Sequence, residues 1–413
     1  MVRFFIFCFL CVAVSAQAQF YKTYWAEFDS LVSNHRDGRW RVNDPGISLH
    51  DTFGPRSETR ANGLVLIRAE ENLFNIEKAE LYMEIWGGHP GTSDKAFYVN
   101  GRGNYAIPGY GTEAYQCTYA YPSIPIEVSH LVRGINAFQF AGEATHTFWG
   151  HYIMDEVALQ LTLKPDHPEM SERGLDGAAT VQLEDRQLEP VTPLALNVPD
   201  AWLEKIEKVV YLGHYLGFDD NGNRRELDWH GYTHDREWQN VIGKSTEAPF
   251  TVEWDTRMLP DAGTPLQVKA IVYFKNNLRY ETPVESGLTL PKKRQTVQLY
   301  TCSDIPVPFW SRDKQLREAT LLLPEPLPKI DQVEIWVKVW DGGAGEVDEP
   351  FKLNGHAYNI ISGTANHDVV FTRVSVDPAH LKPGANIFTL YSDTHHHGIE
   401  VLRPGPCLIV RMK

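Results

Sequence analysis

The chain has 413 residues, a formal net charge of −14, and 12% aromatic residues, among them 11 Trp and 18 Tyr. At roughly 150 residues per domain this length implies two or three domains. An acidic chain with scattered Lys and Arg argues against a nucleic-acid or anionic-membrane binder.

The first residues, "MVRFFIFCFLCVAVSAQAQF", place a basic Arg3 before an apolar core and a small-residue Ala16-Gln17-Ala18 site. Residues 1–18 read as a secretory signal peptide, too short to anchor in a membrane. The mature chain is expected to start near Gln19, and the protein to be secreted or periplasmic. Cys8 and Cys11 would leave with the leader, and three cysteines, Cys117, Cys302 and Cys407, would remain. They allow at most one disulfide, and their spacing matches no zinc motif. No later apolar run approaches the length of a membrane helix.

From residue 45 to 165 the pattern alternates at period two. "ELYMEIW" is a strand, "VNG" a strand end and tight turn, "HLVRGINAF" a glycine before a new strand, and "VALQLTL" a closing strand. Residues 166–200 are Pro-rich, charged and poor in aromatics, and read as a linker. Residues 201–297 return to strands but carry a long polar, aromatic insertion, "DDNGNRRELDWHGYTHDREWQ". Long loops on a rigid sandwich carry function, and equally pack their own aromatics. Residues 298–413 then repeat the first pattern with "VEIWVKVW", "LNG", "HLKPGANIF" and "CLIVRM".

The repeat is regular. Trp86 aligns with Trp340 and Asn100-Gly101 with Asn354-Gly355 at an offset of 254. His130, Asn136 and Phe138 align with His380, Asn386 and Phe388 at 250, the difference falling in a loop region. Glu143 lies over Asp393, and Thr145-His146 over Thr394-His395. Three blocks in one order imply a duplicated domain, and each copy is long enough for an antiparallel sandwich with its own core.

A strand, "NG", "HLxxGxN" and two further strands resemble galactose-binding-like β-sandwiches, the jelly rolls of carbohydrate-binding modules and of accessory domains in secreted glycosidases. The stretch "PFTVEWDTRMLPDAG", with Pro249, Trp254, Asp255, Thr256 and later Ala270, looks like the bacterial immunoglobulin-like domains of secreted glycan-degrading proteins. The resemblance implies an all-β chain: two duplicated antiparallel jelly-roll β-sandwiches separated by an immunoglobulin-like β-sandwich. It further implies a polysaccharide or oligosaccharide partner.

Candidate site residues follow from chemistry. Asp219, Asn221, Asn223 and Asp228 put hard oxygens at alternate positions, as a calcium loop does, though Arg224 stands where such loops place glycine; an Asx-rich turn is the other reading. In "DTHHHGIEVLRPG" the extended chain would put His395 and His397 on one face and His396 on the other. Imidazole and indole both stack on sugar rings while donating a hydrogen bond. That makes Trp149, Trp229, His230, Tyr232, His234, Trp238 and His396 candidates for binding sugar, with Tyr105, Tyr110 and Trp310 as further loop aromatics. One histidine per copy, His146 and His395, is expected to be bonded inside the sandwich rim. A lyase would instead need a base and a positive group, for which Tyr391, His395, His397, Glu400 and Arg403 lie close in sequence. A glycosidase needs two carboxylates about 5–9 Å apart, for which Glu143, Asp155, Glu156, Asp228, Asp235, Asp393 and Glu400 are the candidates. The expected function is a glycan-binding or accessory protein, with a polysaccharide-acting enzyme or a structural surface protein as alternatives. Convergence of the triple-histidine loop with the insertion on one cleft would favour the enzyme.

Overall fold

The fold is that of a computed structural model, and the structure describes residues 18–27, 40–42, 63–88, 92–110, 118–144, 152–361, 367–395 and 397–413. The leader through Gln17, Cys117, His146, Trp149 and His396 lie outside the described residues. The chain is all-β and antiparallel, with short helical turns only. Cys302 and Cys407 are free thiols. Among the described residues no helix is long and apolar enough to cross a membrane.

The two end segments share one strand order. In the first, Gly63–Ala69, Gly134–Ala144, Thr92–Val99 and Arg102–Ala106 form a four-stranded sheet in that order; in the second, Arg317–Leu323, Gly384–Leu390, Phe351–Leu353 and His356–Ala357 do the same. The facing sheets also correspond. Gln19–Trp25, Tyr152–Leu163 and Ile76–Trp86 run side by side, as do Val297–Thr301, Cys407–Met412 and Ile330–Gly342.

The repeated motifs "NG" and "LxxGxN" form one hydrogen-bond network, built twice. Asn100 and Asn354 both sit at φ 51°, a left-handed conformation that Asn tolerates. Asn100 Nδ2 donates to the His130 carbonyl (2.9 Å) and to Asn136 Oδ1 (3.0 Å); Asn354 Nδ2 donates to His380 (2.8 Å) and Asn386 (2.8 Å). Asn136 and Asn386 are fully buried, and each also accepts from the backbone four residues earlier, at Val132 and Lys382. The histidine bonded inside each rim is His130 or His380, through Nδ1 to the hydroxyl of Tyr105 (2.6 Å) or Tyr358 (2.7 Å). This corrects the expectation for His395, which is exposed and faces Asp313. It also corrects Tyr105 and Tyr110 as exposed aromatics: Tyr105 stacks on Phe97 at 5.1 Å, and Tyr110 is buried.

The strand Gln19–Trp25 joins the first end segment to the middle of the chain. One edge pairs with Tyr152–Leu163 and the other with Leu278–Glu281, so a continuous twelve-stranded sheet runs from the insertion to the first copy. Period two explains how it does so. Phe20 packs into the aromatic core of Trp202, Phe274 and Tyr280, and Lys22 pairs with Glu71 and Glu169 on that same side, while Tyr21, Thr23 and Trp25 face the other way. Residues 166–200 are ordered: Thr180–Gln182 and Val191–Asn197 pair with each other, the latter also with Val252–Asp255, and Leu188, Leu194 and Leu196 are buried. Their charges occupy the outward positions, which is why the composition resembles a linker.

Candidate functional site

The insertion folds into a small hairpin, Tyr232–His234 against Glu237–Gln239. Its two-residue turn, Asp235-Arg236, has φ of 49° and 68°, the geometry favoured by the twist of paired strands. Asp220 holds the hairpin's base. Its carboxylate faces His230 Nδ1 (3.2 Å) and accepts from the Gly231 amide (2.9 Å) and from Asn240 Nδ2 (2.7 Å). Burial opposes the charge on both members, but their contact wins, holding Asp220 below its usual range and His230 above its own.

Each copy grips the insertion from the same repeat position. At the 254-residue offset Glu84 matches Lys338; both are buried. Glu84 accepts from Thr233 Oγ1 (2.5 Å) and from the amides of Asp235 (3.2 Å) and Arg236 (3.3 Å). The Thr233 hydroxyl thus commits its proton to Glu84 and accepts from Tyr82 (2.6 Å). Lys338 donates to the Asp220 carbonyl (2.6 Å) and the Tyr121 hydroxyl (3.0 Å), with its Nζ 3.9 Å from the Tyr232 ring centre and 4.7 Å from that of Tyr121. Burial pushes Lys338 down to about 7 and raises Glu84.

Under the hairpin the outward face of the continuous sheet forms a groove of about 230 Å³. Its floor is the set of side chains that alternation directs away from the core: Tyr21, Thr23 and Trp25, then Gln160 and Thr162, Glu80 and Tyr82, Lys269 and Tyr273, and Arg279 and Glu281. Thr233, Arg236 and Trp238 of the insertion complete the lining. Trp238 is fixed by donating from Nε1 to the Tyr273 hydroxyl (2.5 Å). Trp25 meets Tyr82 edge-on at 6.0 Å, with the Arg236 guanidinium 5.4 Å from the Trp25 ring centre. At one end Arg236 Nε lies 3.1 Å from Glu156, which burial, opposed by Arg236, pushes up to about 7. Glu156 and Glu84 are directly opposed across paired strands.

The expected sugar contacts divide. Trp238 lines the groove. Trp229 stands at its side, with Lys269 Nζ 4.7 Å from its ring centre. His230 and Tyr232 are buried and hold the insertion together, His230 stacked on Tyr215 at 4.1 Å. His234 reaches Asp368 of the second copy (3.1 Å). The next residue back, His367, meets His397 through Nε2 and Nδ1 at 2.6 Å, and both rings lie edge-on to Trp340. The triple-histidine loop and the insertion therefore converge on one rim, along His397, His367, Asp368 and His234. Of the other candidates there, Tyr391 donates its amide to Pro350, Arg403 is half-buried, and Glu400 is buried in a strand opposite Trp310 and Trp340.

The loop expected to bind calcium is closed by its own groups. The Asp219 carboxylate accepts from the amides of Asn223 (3.0 Å) and Arg224 (2.8 Å), Asn221 Oδ1 accepts from the Asn223 amide (3.1 Å), and the Asn223 side-chain amide donates to Asp228. This is the Asx-turn arrangement. Among the described residues no group of three or more His, Cys, Asp or Glu side chains could hold a metal ion.

Tyr21, Glu80, Arg279 and Tyr273 of the groove, and Glu84, Asp220, Lys338 and His367 around it, were not anticipated. Alternation marks Glu80, Glu84 and Lys338 as strand residues, and a lysine between Val337 and Val339 in "EIWVKVW" is the one available signal, a charge in an apolar run.

No protein-family model matches the sequence, and no curated protein matches it. Among solved structures it is similar to a β-porphyranase of glycoside hydrolase family 86 from Bacteroides plebeius, at 14% identity and a TM-score of 0.24, over 56% of this chain and 36% of that one. A calcium-binding mutant of Bacteroides uniformis β-glucuronidase 2 matches at 13% identity and a TM-score of 0.20, over 72% of this chain and 36% of that one. An exo-β-1,3-galactanase from Phanerochaete chrysosporium matches at 8% identity and a TM-score of 0.18, over 84% and 78%. The matched part thus spans about a third of the first two proteins. Those proteins act on carbohydrate by name; at such TM-scores the likeness assigns no activity to this chain.

Proposed function

We propose that the protein is a secreted glycan-binding protein and that the groove under the insertion receives the sugar. The observation that carries this reading is the groove's lining: Tyr21, Trp25, Tyr82, Trp238 and Tyr273 interleaved with Thr, Gln and charged side chains. Flat aromatic faces take the apolar side of a pyranose, and fixed polar groups take its hydroxyls. A volume of about 230 Å³ is below the ~300–1,000 Å³ of sites for drug-sized ligands, and so suits one ring of a longer chain. A glycan array on the chain from Gln19, followed by calorimetry on any ligand found, tests it. Trp238→Ala should weaken binding at least ~10-fold, about 1.4 kcal/mol, while the protein still unfolds in one cooperative transition well above the assay temperature. A wild-type chain that binds no glycan, or a W238A variant that binds as tightly, would sink the reading.

A second reading, an enzyme acting on polysaccharide, is favoured by the convergence of His397, His367, Asp368 and His234 on one rim. Imidazoles beside a carboxylate are a general acid/base set. New reducing or unsaturated ends on a bound glycan, lost in H367Q, would establish it.

A further inference from the structure

We propose that the groove contains a subsite for an anionic substituent of the bound sugar, a carboxylate or a sulfate ester, centred on Arg279; this rests on the reading of the groove as a sugar site. Arg279 occupies the middle of a ladder across three adjacent strands. It is directly opposite Tyr273 on one side and Tyr21 on the other, neighbours ~5 Å away on the same face. Its guanidinium lies 4.0 Å from the Tyr273 ring centre, and Nη1 donates to the Leu278 carbonyl (3.1 Å).

What separates Arg279 from the other cations of the groove is its lack of a counter-charge. Lys269 pairs with Glu281 at 3.1 Å, and Arg236 with Glu156 at 3.1 Å. Among the described residues no carboxylate stands within 4.0 Å of the Arg279 guanidinium, which is half-buried and lines the cavity. A guanidinium carries five N–H donors in a planar fork that matches the two oxygens of a carboxylate or sulfate. The flanking groups assist. The Tyr273 oxygen accepts from Trp238, which leaves the phenol proton to donate. Burial holds both Tyr21 and Tyr273 above the usual tyrosine range, so both stay donors at neutral and mildly alkaline pH. Glu80, the remaining carboxylate of the lining, is three strands away in the sheet order, ~14 Å at the usual spacing. It would repel an anion at its own end and so orient the sugar with the anion towards Arg279.

The test is calorimetry on the chain from Gln19 with three oligosaccharides of matched length: neutral, uronic-acid and sulfated. The wild type should bind one of the anionic oligosaccharides at least ~10-fold more tightly than the neutral one, and added salt should erode the difference. Arg279→Gln should abolish the preference, read as the ratio of anionic to neutral affinity within each protein, and Arg279→Lys should restore part of it. The choice between uronate and sulfated ligand identifies the anion. Equal affinity for neutral and anionic sugars in the wild type, or a preference that survives in R279Q, overturns the subsite while the groove still binds sugar. If none of the three binds and the array is also blank, the groove reading falls and the subsite with it. Equal unfolding midpoints of the variants and wild type show that lost binding is not lost folding.

Discussion

Replacing Lys338 by methionine should change how the stability of the protein depends on pH. Burial lowers the folded-state pKa of Lys338 from 10.5 to about 7. Between those values the unfolded chain holds a proton that the folded chain does not, so stability must rise with pH across that window, by up to ~1.4 kcal/mol per unit. From pH 7.5 to 9.0 the contribution of this one side chain is ~2 kcal/mol. Higher pH brings opposing terms. Burial pushes the Cys302 thiol up to about 12 and holds Tyr121 and Tyr82 above the tyrosine range, and a raised thiol or phenol loses stability once the unfolded group ionises, above roughly pH 9 to 10. These groups remain in the variant, so the difference between the two proteins isolates Lys338. Methionine also removes the donors to the Tyr121 hydroxyl and the Asp220 carbonyl, but that cost moves the curve without tilting it. Urea unfolding followed by tryptophan fluorescence at pH 7.5, 8.0, 8.5 and 9.0 measures both curves. A K338M slope equal to the wild-type slope would refute the assignment of a neutral, buried lysine.

Two further outcomes follow from the packing. Gly222 has φ +68°, and a Cβ there would run into the Tyr119 carbonyl of the first copy, so Gly222→Ala should cost ~2–3 kcal/mol, read as a lowered urea midpoint. Asn386→Ala removes a buried side chain that accepts from Lys382 and Asn354 and donates back to Lys382 (2.9 Å) and Gly384 (3.0 Å). It should cost ~3 kcal/mol, and Asn136→Ala in the first copy should cost the same within about 1 kcal/mol, because the partners are equivalent.

The parts of this architecture that show in the sequence are local. "ELYMEIW" and "VEIWVKVW" announce strands because both obey a period of two, and the two copies of "NG" and "LxxGxN" announce a duplication because one asparagine network requires the same side chains twice. What does not show is set by register between distant segments. Nothing in "QFYKTYW" says that Tyr21 will stand between Thr162 and Arg279, since any strand of that composition pairs equally well elsewhere. The groove is invisible for that reason: its floor comes from five strands, and each supplies only two or three side chains. The triple histidine drew notice through its composition, yet the residue that completes its contact is the isolated His367, thirty positions earlier. In the loop 219–228 the oxygens suited to a cation are the same ones that Asx turns use, and composition alone does not separate the two.

The position of Gln19–Trp25 also bears on how the molecule is made. It is the first strand of the described chain to leave the ribosome, yet one of its edges waits for Leu278–Glu281, more than 250 residues later. Until that partner emerges the strand presents an open backbone edge with Phe20 uncovered, a state prone to mispairing. Contacts of such long sequence separation slow folding, so the sheet that carries the groove is expected to close late, after most of the chain has been synthesised.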